Sequence, residues 1–363
     1  MIKSVKLDNF LSFGSNQSEI ELRPLNIIIG TNGCGKSNFL EAFDLLRNAA
    51  GDIKKPIREG GGVMEWLYKR TQKKEVPIAS IEMLINVRDD TPRYHISFTS
   101  SASRFEITSE WLKNVNGEVV YENKQFKDVS ALSLADKTIF EYCYGDDISY
   151  LVKEIKLYRD WTFGRDALCR KPQLADEPCE HLEADCSNLA LVLNQMNHDI
   201  PSKKRLLKEL QNFYPDVEDY FVNTIGNYVQ IYFQERGLDK PIPASRLSDG
   251  TLRYLCLLAI LCNPTLPPLI CIEEPELGLH PDVIPGLAKL MTEVSEKCQL
   301  IITTHSDILV DSFTDNPEAI LVAEKTEVGT QINRLQKEQL TPWLEKYRLG
   351  ALWTSGDIGG TRW

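Results

Sequence analysis

Apolar and polar residues alternate along much of the first 125 residues, which indicates a series of β-strands. The alternation begins at residues 2–7 and resumes after a glycine turn at residues 60–62. Successive side chains of a strand point to opposite faces, so a period of two predicts a strand with one buried face. We therefore predict an opening strand followed by an antiparallel meander. The apolar positions of the meander are Ile81, Met83, Ile85, Val87, Tyr94, Ile96, Phe98, Phe105, Ile107, Val119 and Tyr121.

Apolar residues spaced three and four apart predict helices elsewhere in the chain. The face of the first predicted helix consists of Phe39, Leu40, Phe43 and Leu46. Residues 150–235 are predicted to be mainly helical, with Ser187 and Asn188 as an N-cap and an amphipathic segment at 204–213. Another strongly apolar helix is predicted at 252–261. Prolines scattered through 150–235 exclude a long continuous coiled coil there.

A glycine-rich segment at residues 30–37 reads Gly-Thr-Asn-Gly-Cys-Gly-Lys-Ser and lies between an apolar run and the first predicted helix. Strand, glycine loop and helix in this order form the phosphate-binding loop G-x-x-x-x-G-K-S. Its amides curl around phosphates, and the helix N-terminus adds partial positive charge. We predict that Lys36 reaches the β- and γ-phosphates and that Ser37 binds Mg²⁺. The predicted nucleotide contacts are Gly30, Asn32, Gly33, Cys34, Gly35, Lys36, Ser37 and Asn38. A glycine turn without a ligand is the alternative.

Two short apolar strands further along the chain end in groups that can do chemistry. Residues 269–272 are followed by Glu273 and Glu274, and residues 299–304 by His305. Either segment alone has an ordinary structural explanation. Downstream of a phosphate loop, however, they predict acids and a histidine at the carboxyl edge of a parallel sheet, where α/β proteins bind ligands.

Composition narrows the class of protein. The 363 residues allow two domains, and no apolar run approaches the length needed to cross a bilayer. The N-terminus does not resemble a signal peptide, and nine cysteines without C-x-x-C pairs favour a reducing cytoplasm. The net charge of −11 gives no general attraction to DNA, so DNA binding would require a local basic patch.

Two clusters have both a functional and a structural interpretation. Lys203, Lys204, Arg205 and Lys208 form either a basic patch or a solvated helix face. Cys179, His181 and Cys186 form either a metal site or a loop with incidental cysteines.

Several segments together resemble an ATP-binding-cassette (ABC) ATPase of the chromosome-maintenance type, the group of the SMC, RecF and overcoming-lysogenization-defect (OLD) proteins. They are VKLDNFLSF, GTNGCGKS, LSDGT, ICIEEPELGLHP and TTHS. Within that group, YRDWTFGRD, CSNLALVLN and LGALWTSGDIGG are similar to a family of compact bacterial ATPases without a coiled coil. The resemblance implies an α/β P-loop NTPase fold, with a mixed or parallel core sheet, an antiparallel β lobe and a helical lobe. The implied segments are 1–150, carrying the Walker A motif and the β lobe; 151–245, the helical lobe; and 246–363, carrying the signature, Walker B and switch histidine.

The resemblance also implies roles for individual residues. Glu273 stands where the group has Asp and would contact Mg²⁺, Glu274 would orient the attacking water, and His305 would sense the γ-phosphate. Ser248 and Gly250 of the signature loop would close on ATP held by a second subunit, which implies a head-to-tail homodimer, either ATP-dependent or constitutive. Gln173 is a candidate for the glutamine that links Mg²⁺ to the helical lobe, and Gln125 competes for that role.

The implied function is a cytoplasmic ATP hydrolase that uses ATP and Mg²⁺ and switches a partner, without contact with a membrane. The partner would be a separately encoded effector such as a nuclease, with DNA as a further ligand, in anti-phage defence or DNA repair. One alternative is an intrinsic OLD-like nuclease, because residues 320–327 faintly resemble a TOPRIM strand; no Asp-x-Asp follows them, however. Another is a slow-turnover ATP-binding scaffold, against which the intact Glu274 argues. Trp343 and Trp353 are predicted to lie in the core.

Overall fold

The computed structural model describes residues 1–70, 76–87, 90–123 and 145–360. Two compact units share this chain. The first comprises Met1–Leu157, Pro268–Cys271 and Gln299–Trp363, and the second comprises Tyr158–Pro267 and Ile272–Cys298. Gln125 and Trp363 lie outside the described residues. The consecutive segments 1–150, 151–245 and 246–363 remain a prediction.

One sheet of the first unit is a six-stranded antiparallel meander in the order β2-β1-β4-β5-β6-β7. Its strands are β1 (Ile2–Asp8), β2 (Ile20–Glu21), β4 (Ala79–Ile85), β5 (Arg93–Ser101), β6 (Arg104–Lys113) and β7 (Val119–Glu122). Strand β4 shows why the segment folds this way, because Ile81, Met83 and Ile85 are buried while Glu82 between them is partly exposed. The predicted antiparallel lobe is confirmed.

The other six-stranded sheet has the order β16-β15-β3-β14-β13-β8. Its strands are β3 (Leu25–Ile29), β8 (Lys156–Tyr158), β13 (Leu269–Glu273), β14 (Gln299–Thr303), β15 (Ile320–Thr326) and β16 (Gly329–Arg334). Strand β3 is buried throughout and pairs in parallel with β14 and β15, whereas β16 is antiparallel to β15. This is the mixed core sheet that the sequence predicts. The TOPRIM-like segment forms β15 and therefore belongs to this sheet.

Helices of the first unit include the one predicted after the glycine loop. They are α1 (Lys36–Ala49), α2 (Lys54–Glu59), α3 (Val63–Trp66), α4 (Gly145–Lys153), α9 (Asp307–Asp311), α10 (Lys337–Leu344) and α11 (Leu349–Ser355). All four apolar residues predicted for the face of α1 are buried. Trp353 is buried as well, but the prediction for Trp343 is wrong, since its side chain is 49% exposed. Helix α10 is short and buries Leu340, which leaves Trp343 outside the core.

The second unit combines helices with a small antiparallel sheet. Its elements are β9 (Gln173–Leu174), α5 (Leu189–Asn197), α6 (Ile200–Phe213), β10 (Val217–Ile225), β11 (Tyr228–Glu235), β12 (Ile242–Pro243), α7 (Asp249–Leu261) and α8 (Ile284–Ser295). The expectation of a mainly helical region is therefore wrong for residues 217–235. Val229, Ile231 and Phe233 alternate with more exposed residues, and this period of two determines a strand.

The N-terminus of α5 is stabilised in a way that local sequence does not indicate. Asn188 is the N-cap residue, as predicted, but its side chain makes no capping bond. It donates instead to the carbonyls of Pro178 and His181. The amide of Ala190 is satisfied by Gln173 Oε1 at 2.8 Å. A residue from β9 thus replaces the local cap.

No helix within the described residues is long and apolar enough to cross a membrane.

Replacing Phe39 with Ala tests the core beneath the glycine loop. Phe39 is fully buried, and its ring lies 5.2 Å from that of Phe43 and 6.3 Å from that of Phe13. We expect Phe39→Ala to lower the free energy of unfolding by about 3–5 kcal/mol, measured by urea denaturation, because it leaves a cavity. The control Met64→Ala alters a side chain that is 50% exposed and should change stability by less than about 0.5 kcal/mol. Equal effects of the two substitutions would contradict this assignment of the core.

Candidate functional site

The loop between β3 and α1 is held open by glycines. Gly30, Gly33 and Gly35 have φ angles of 148°, 75° and 110°, which side-chain-bearing residues rarely adopt. A Cβ on Gly35 would lie 2.3 Å from Thr330 Oγ1, so this position also excludes a side chain by sterics. A Cβ on Gly33 would meet nothing within 4 Å. The loop is therefore tightly packed on its protein side and leaves room at Gly33 for a ligand.

Lys36 and Ser37 begin α1 directly after this loop. The Lys36 side chain is buried, and Nζ donates to the carbonyls of Gly30 at 2.9 Å and Thr31 at 3.1 Å. The ammonium group thus lies against the loop that motif chemistry assigns to phosphates. Ser37 is exposed at the helix N-terminus, where the helix dipole favours an anion.

Other predicted loop residues divide into structural and exposed positions. Cys34 is buried, and its carbonyl accepts a hydrogen bond from Thr330 Oγ1 at 2.7 Å. The same Thr330 hydroxyl lies 2.7 Å from Ser12 Oγ. Asn32 is exposed and Asn38 is half-buried. Cys34 therefore fixes the loop through its backbone, while Asn32 faces solvent.

His305 lies at the same edge of the sheet as the glycine loop. In the parallel pair β3–β14, Thr303 is in register with Ile28, and the Thr304 amide donates to the Ile28 carbonyl at 3.1 Å. His305 follows immediately and is exposed. The predicted position of the histidine at the carboxyl edge is confirmed.

A pocket of about 290 Å³ adjoins the first turn of α1. Its lining includes Leu11, Ser12, Asn38, Tyr68 and Lys325. Apolar, aromatic and polar groups occur together there, as they do in small-molecule sites.

The two consecutive glutamates lie at the end of β13, and side chains of the second unit hold their backbone. Trp161 Nε1 donates to the Glu273 carbonyl at 3.1 Å, and Arg253 Nη2 donates to the Glu274 carbonyl at 2.9 Å. Glu274 has a φ of 46°, a left-handed conformation that is uncommon for a residue with a side chain. The carbonyl bonds of Trp161 and Arg253 restrain a strained turn at this position.

Arg253 lies in an aromatic environment. Its guanidinium carbon lies 5.1 Å from the ring centroid of Trp161 and 5.9 Å from that of Phe163, and its side chain is buried. These distances are within the range of cation–π attraction. Burial lowers the pKa of the Arg253 guanidinium, and the carboxylates of Glu276 and Glu274 oppose that effect.

The segment Leu247–Thr251 forms the N-terminus of α7. Ser248 is exposed and caps the helix, accepting from the Thr251 amide at 3.0 Å. A Cβ on Gly250 would lie 2.9 Å from the Gly278 carbonyl, so this loop lies close to the one that follows β13. Ser248 thus satisfies the Thr251 amide at the exposed start of α7.

Arg170 fixes the other side of this segment. The buried guanidinium donates to the Leu247 carbonyl at 2.6 Å, to the Phe163 carbonyl at 3.0 Å and to the Asp249 carboxylate. A buried charge is stable only with such partners. Arg170 therefore holds residues 247–249 against the segment that carries Phe163.

The side chain of Gln173, the candidate for the link to Mg²⁺, makes a structural hydrogen bond. It is buried, and Oε1 is engaged by the Ala190 amide. Its proposed link to Mg²⁺ remains a prediction.

The two ambiguous clusters have structural contacts. Lys203 pairs with Asp219 at 3.2 Å and Arg205 with Glu293 at 2.9 Å, so half of the basic cluster is neutralised by acids. In the part of the chain that the structure describes, no group of three or more metal-binding side chains is assembled. Cys186 contacts the buried Cys256 thiol, whose pKa is raised mainly by burial.

Sequence reasoning gave no role to Thr330, Arg170 or Trp161. Thr330 and Arg170 contact loops distant from them in sequence, and no local motif marks them. Trp161 lies in the segment YRDWTFGRD, which carried part of the family resemblance, but its contact with Glu273 was not predicted.

A glycine phosphate loop at the carboxyl edge of this core sheet, with a histidine following the neighbouring strand, is the arrangement of a P-loop nucleotide-binding fold. Residues 25–311 match the family described as "AAA domain, putative AbiEii toxin, Type IV TA system". The chain belongs to this family.

Curated relatives are distant in sequence. An ATP/GTP phosphatase of Helicobacter pylori is 22% identical over 333 residues, which is 86% of this chain and 87% of that protein. The Old nuclease of Escherichia phage P2 is 24% identical over 84% of this chain, and endonuclease GajA of Bacillus cereus is 22% identical over 86%. The aligned regions are 56% and 58% of those two nucleases. The family and the phosphatase support a nucleotide hydrolase.

Solved SMC heads share the fold. An SMC head bound to the C-terminal winged-helix domain of ScpA matches with a TM-score of 0.63 and 15% identity, over 94% of this chain and 99% of that one. A head with an extended coiled coil, bound to the C-terminal domain of ScpA from Pyrococcus furiosus, matches with a TM-score of 0.61 and 14% identity, over 95% and 98%.

Arg170→Lys tests how the N-terminal segment of α7 is held. Lysine cannot reproduce the separate guanidinium bonds to Leu247, Phe163 and Asp249. We expect amide hydrogen exchange to accelerate at least about tenfold at Thr251 and Leu252, corresponding to a loss of about 1.4 kcal/mol or more.

The matched control is Arg236→Lys, because Arg236 is 72% exposed and pairs only loosely with Glu218. It should leave these amides unchanged. If Arg170→Lys also leaves them unchanged, the guanidinium does not order the loop.

Proposed function

We propose that the protein hydrolyses ATP to ADP and phosphate and that two copies sandwich two ATP molecules head to tail. The observation that carries this proposal is the glycine loop with Lys36 beside it, at the sheet edge shared with His305. In this proposal, ATP binding closes the dimer, hydrolysis opens it, and a partner responds to the difference. The protein works in the cytoplasm.

The glycine loop suits the triphosphate. Amides of residues 33–37 and the α1 dipole would stabilise phosphate oxygens, and Lys36 would exchange its bonds to loop carbonyls for bonds to the β- and γ-phosphates. The pocket lined by Leu11, Ser12 and Tyr68 would accept the base and ribose.

The two residues that the resemblance assigns to Mg²⁺ have the chemistry that this ion requires. Ser37 supplies an exposed hydroxyl at the helix N-terminus, and Glu273 supplies a carboxylate, both hard oxygen donors. When bound, Mg²⁺ would neutralise charge on the β- and γ-phosphates. Gln173 is retained as a candidate third ligand only on the basis of the resemblance.

Hydrolysis would use Glu274 and His305. The Glu274 carboxylate orients a water molecule and accepts its proton as the oxygen attacks the γ-phosphorus. The bond to the β-phosphate oxygen breaks, which releases ADP and phosphate. His305 donates a hydrogen bond to the γ-phosphate, and Lys36 stabilises the charge of the transition state. Arg253 and Trp161 act as positioning residues, because they hold the backbone of both glutamates.

The signature loop would complete the site of the opposite copy. Ser248 and Gly250 lie at the exposed N-terminus of α7, where an anion is favoured. Closing this terminus on the γ-phosphate of the other copy makes dimerisation depend on ATP, and hydrolysis reopens the dimer.

The effector is proposed to be a separately encoded nuclease. The names of two relatives, the phage P2 Old nuclease and endonuclease GajA, support an association with nucleic-acid cleavage. Anti-phage defence or DNA repair is the corresponding role. The alternative of an intrinsic nuclease gains no support from the described residues, among which no cluster of three metal-binding carboxylates occurs.

Lys36→Ala and Glu274→Gln test the proposed chemistry. Each should reduce phosphate release from ATP at least about 100-fold, because one loses phosphate binding and the other the base. Only Glu274→Gln should retain ATP and accumulate as a dimer, measured as mass in solution with ATP and Mg²⁺. Parallel assays with GTP would determine which nucleotide is the substrate.

The control Lys337→Ala removes an exposed lysine at the start of α10, in the same unit as Lys36 and outside the lining of the pocket proposed for the base. It should hydrolyse ATP like the wild type. The proposal fails if Lys36→Ala and the wild type release phosphate equally, or if ATP never changes the mass of Glu274→Gln. Very slow release by the wild type with a stable ATP-bound dimer would favour the scaffold alternative.

Arg253→Met tests positioning of the catalytic glutamate. Methionine retains apolar bulk against Trp161 and Phe163 but loses the bond to the Glu274 carbonyl. We expect kcat to fall about 10- to 100-fold while KM for ATP changes less than about twofold, because a small displacement of the base affects the chemical step. Arg253→Lys should recover part of kcat. Arg236→Met, at an exposed position, should behave like the wild type. A rise in KM at constant kcat would assign Arg253 to substrate binding instead.

A further inference from the structure

Strand β10 lies at the edge of the small sheet in the second unit, and this edge has features expected of an interface. β11 pairs with β10 along one edge and with β9 and β12 along the other. Within the described ranges, no strand pairs with the second edge of β10. That edge is therefore open to another strand, although the Tyr220 amide of β10 already donates to Asp219 Oδ1 at 2.8 Å.

The β10–β11 hairpin also lacks the usual safeguards against strand pairing. No residue from 220 to 234 carries a charge, and none is proline. Exposed edge strands commonly carry lysine, proline or inward-facing charges that prevent association. The two acids directly before this stretch have basic partners, since Asp219 pairs with Lys203 at 3.2 Å and Glu218 with Arg236 at 3.6 Å.

The outward face of the hairpin is apolar. Phe221 is 36% exposed, Ile225 63% and Tyr228 50%, and Leu174 beside Tyr228 is 41% exposed. The opposite face is buried, as Tyr220 and Phe233 show. These exposed apolar residues form two groups on the same face, separated by Asn223 and Gln230, and their exposure on an open-edged strand indicates a surface that a partner covers.

We propose that β10 pairs antiparallel with β10 of a second copy of this chain, about a twofold axis at Asn223. Across such an axis, residues whose numbers sum to 446 lie opposite each other. Phe221 then lies opposite Ile225 of the second copy, and Ile225 opposite Phe221, so two apolar pairs flank the Asn223 pair. Both members of each pair lie on the same face, as a continuous sheet requires.

Charge complementarity favours a second copy as the occupant. A twofold axis places each residue near its own counterpart, so charged residues close to the axis would repel. Here residues 220–225 are uncharged, and Asp219 and Glu218 would extend past Ile225, the last residue of β10 in the second copy, so neither would face a charged residue of that strand. The strand is thus self-compatible without requiring an oppositely charged partner.

This interface does not use nucleotide and is separate from the ATP-dependent dimer proposed above. The experiment therefore uses the Lys36→Ala protein without nucleotide, so that an ATP sandwich cannot contribute. We expect a dimer in solution. Replacing both Phe221 and Ile225 with Lys should weaken its association at least about 100-fold while the circular dichroism spectrum is retained.

Cysteine cross-linking tests the register. Asn223→Cys places two thiols directly opposite, where Cβ atoms are about 4.5–5.5 Å apart and a disulfide can form. The control Gln230→Cys lies on the same face and pairs with Asn223 on the next strand. It would be about 14 Å from its counterpart, three strand spacings, and cannot form a disulfide. After mild oxidation, we expect a covalent dimer from Asn223→Cys at least about tenfold more abundant than from Gln230→Cys or the Lys36→Ala parent.

A monomeric mass across the accessible concentration range, together with no excess cross-linking of Asn223→Cys, would overturn the proposal. Equal cross-linking of the two variants would overturn the register, and a dimer unaffected by the double lysine substitution would overturn the surface. None of these outcomes alters the phosphate-release test, which depends on Lys36 and Glu274. The mass of Glu274→Gln with ATP is measured with Phe221 and Ile225 also replaced by Lys, so that only the ATP-dependent dimer can form.

Discussion

The parallel register of β3 with β14 is the constraint on which the phosphate end of the site depends. It fixes Thr303 beside Ile28, so the chain leaves both strands at one edge, at Gly30 and at His305. Strand β16, which lies beyond β15 in the same sheet, adds Thr330, which holds the Cys34 carbonyl and leaves no space for a side chain at Gly35. Loop shape, the start of α1 and the histidine therefore follow from one set of buried strand contacts. A shift in that register would disrupt all three together.

In the second unit, the organising contacts are made by buried arginines. Arg253 holds the turn at Glu274, while Arg170 holds residues 247–249. Each guanidinium donates to backbone carbonyls, so it fixes the position of the main chain at those residues. The close approach of Gly250 to Gly278 connects the two loops directly. Buried charges of this kind tolerate little change, since losing a partner leaves desolvated polar groups behind.

Local pattern was sufficient for much of the fold and for the motifs. The strand alternation, the face of α1 and the position of His305 are confirmed because each depends on residues adjacent in sequence. Contacts between distant segments were not accessible in this way, as Thr330 with Cys34 and Gln173 with Ala190 illustrate. Trp343 was assigned to the core from its residue type, but burial depends on which face of a short helix meets the protein. The strands at 217–235 were missed because the surrounding helical pattern outweighed a period of two.

The left-handed turn at Glu274 has a consequence for how this position can evolve. A residue with a side chain in that conformation costs on the order of 1–3 kcal/mol, whereas glycine adopts it freely. Folding alone would thus favour glycine at position 274, and asparagine to a smaller degree. If Glu274 is the catalytic base, a substitution that increases the stability of the fold at this position also removes the group needed for hydrolysis. We therefore expect that a relative which keeps the fold but has lost the ability to hydrolyse nucleotide can carry glycine at this position and be more stable to heat.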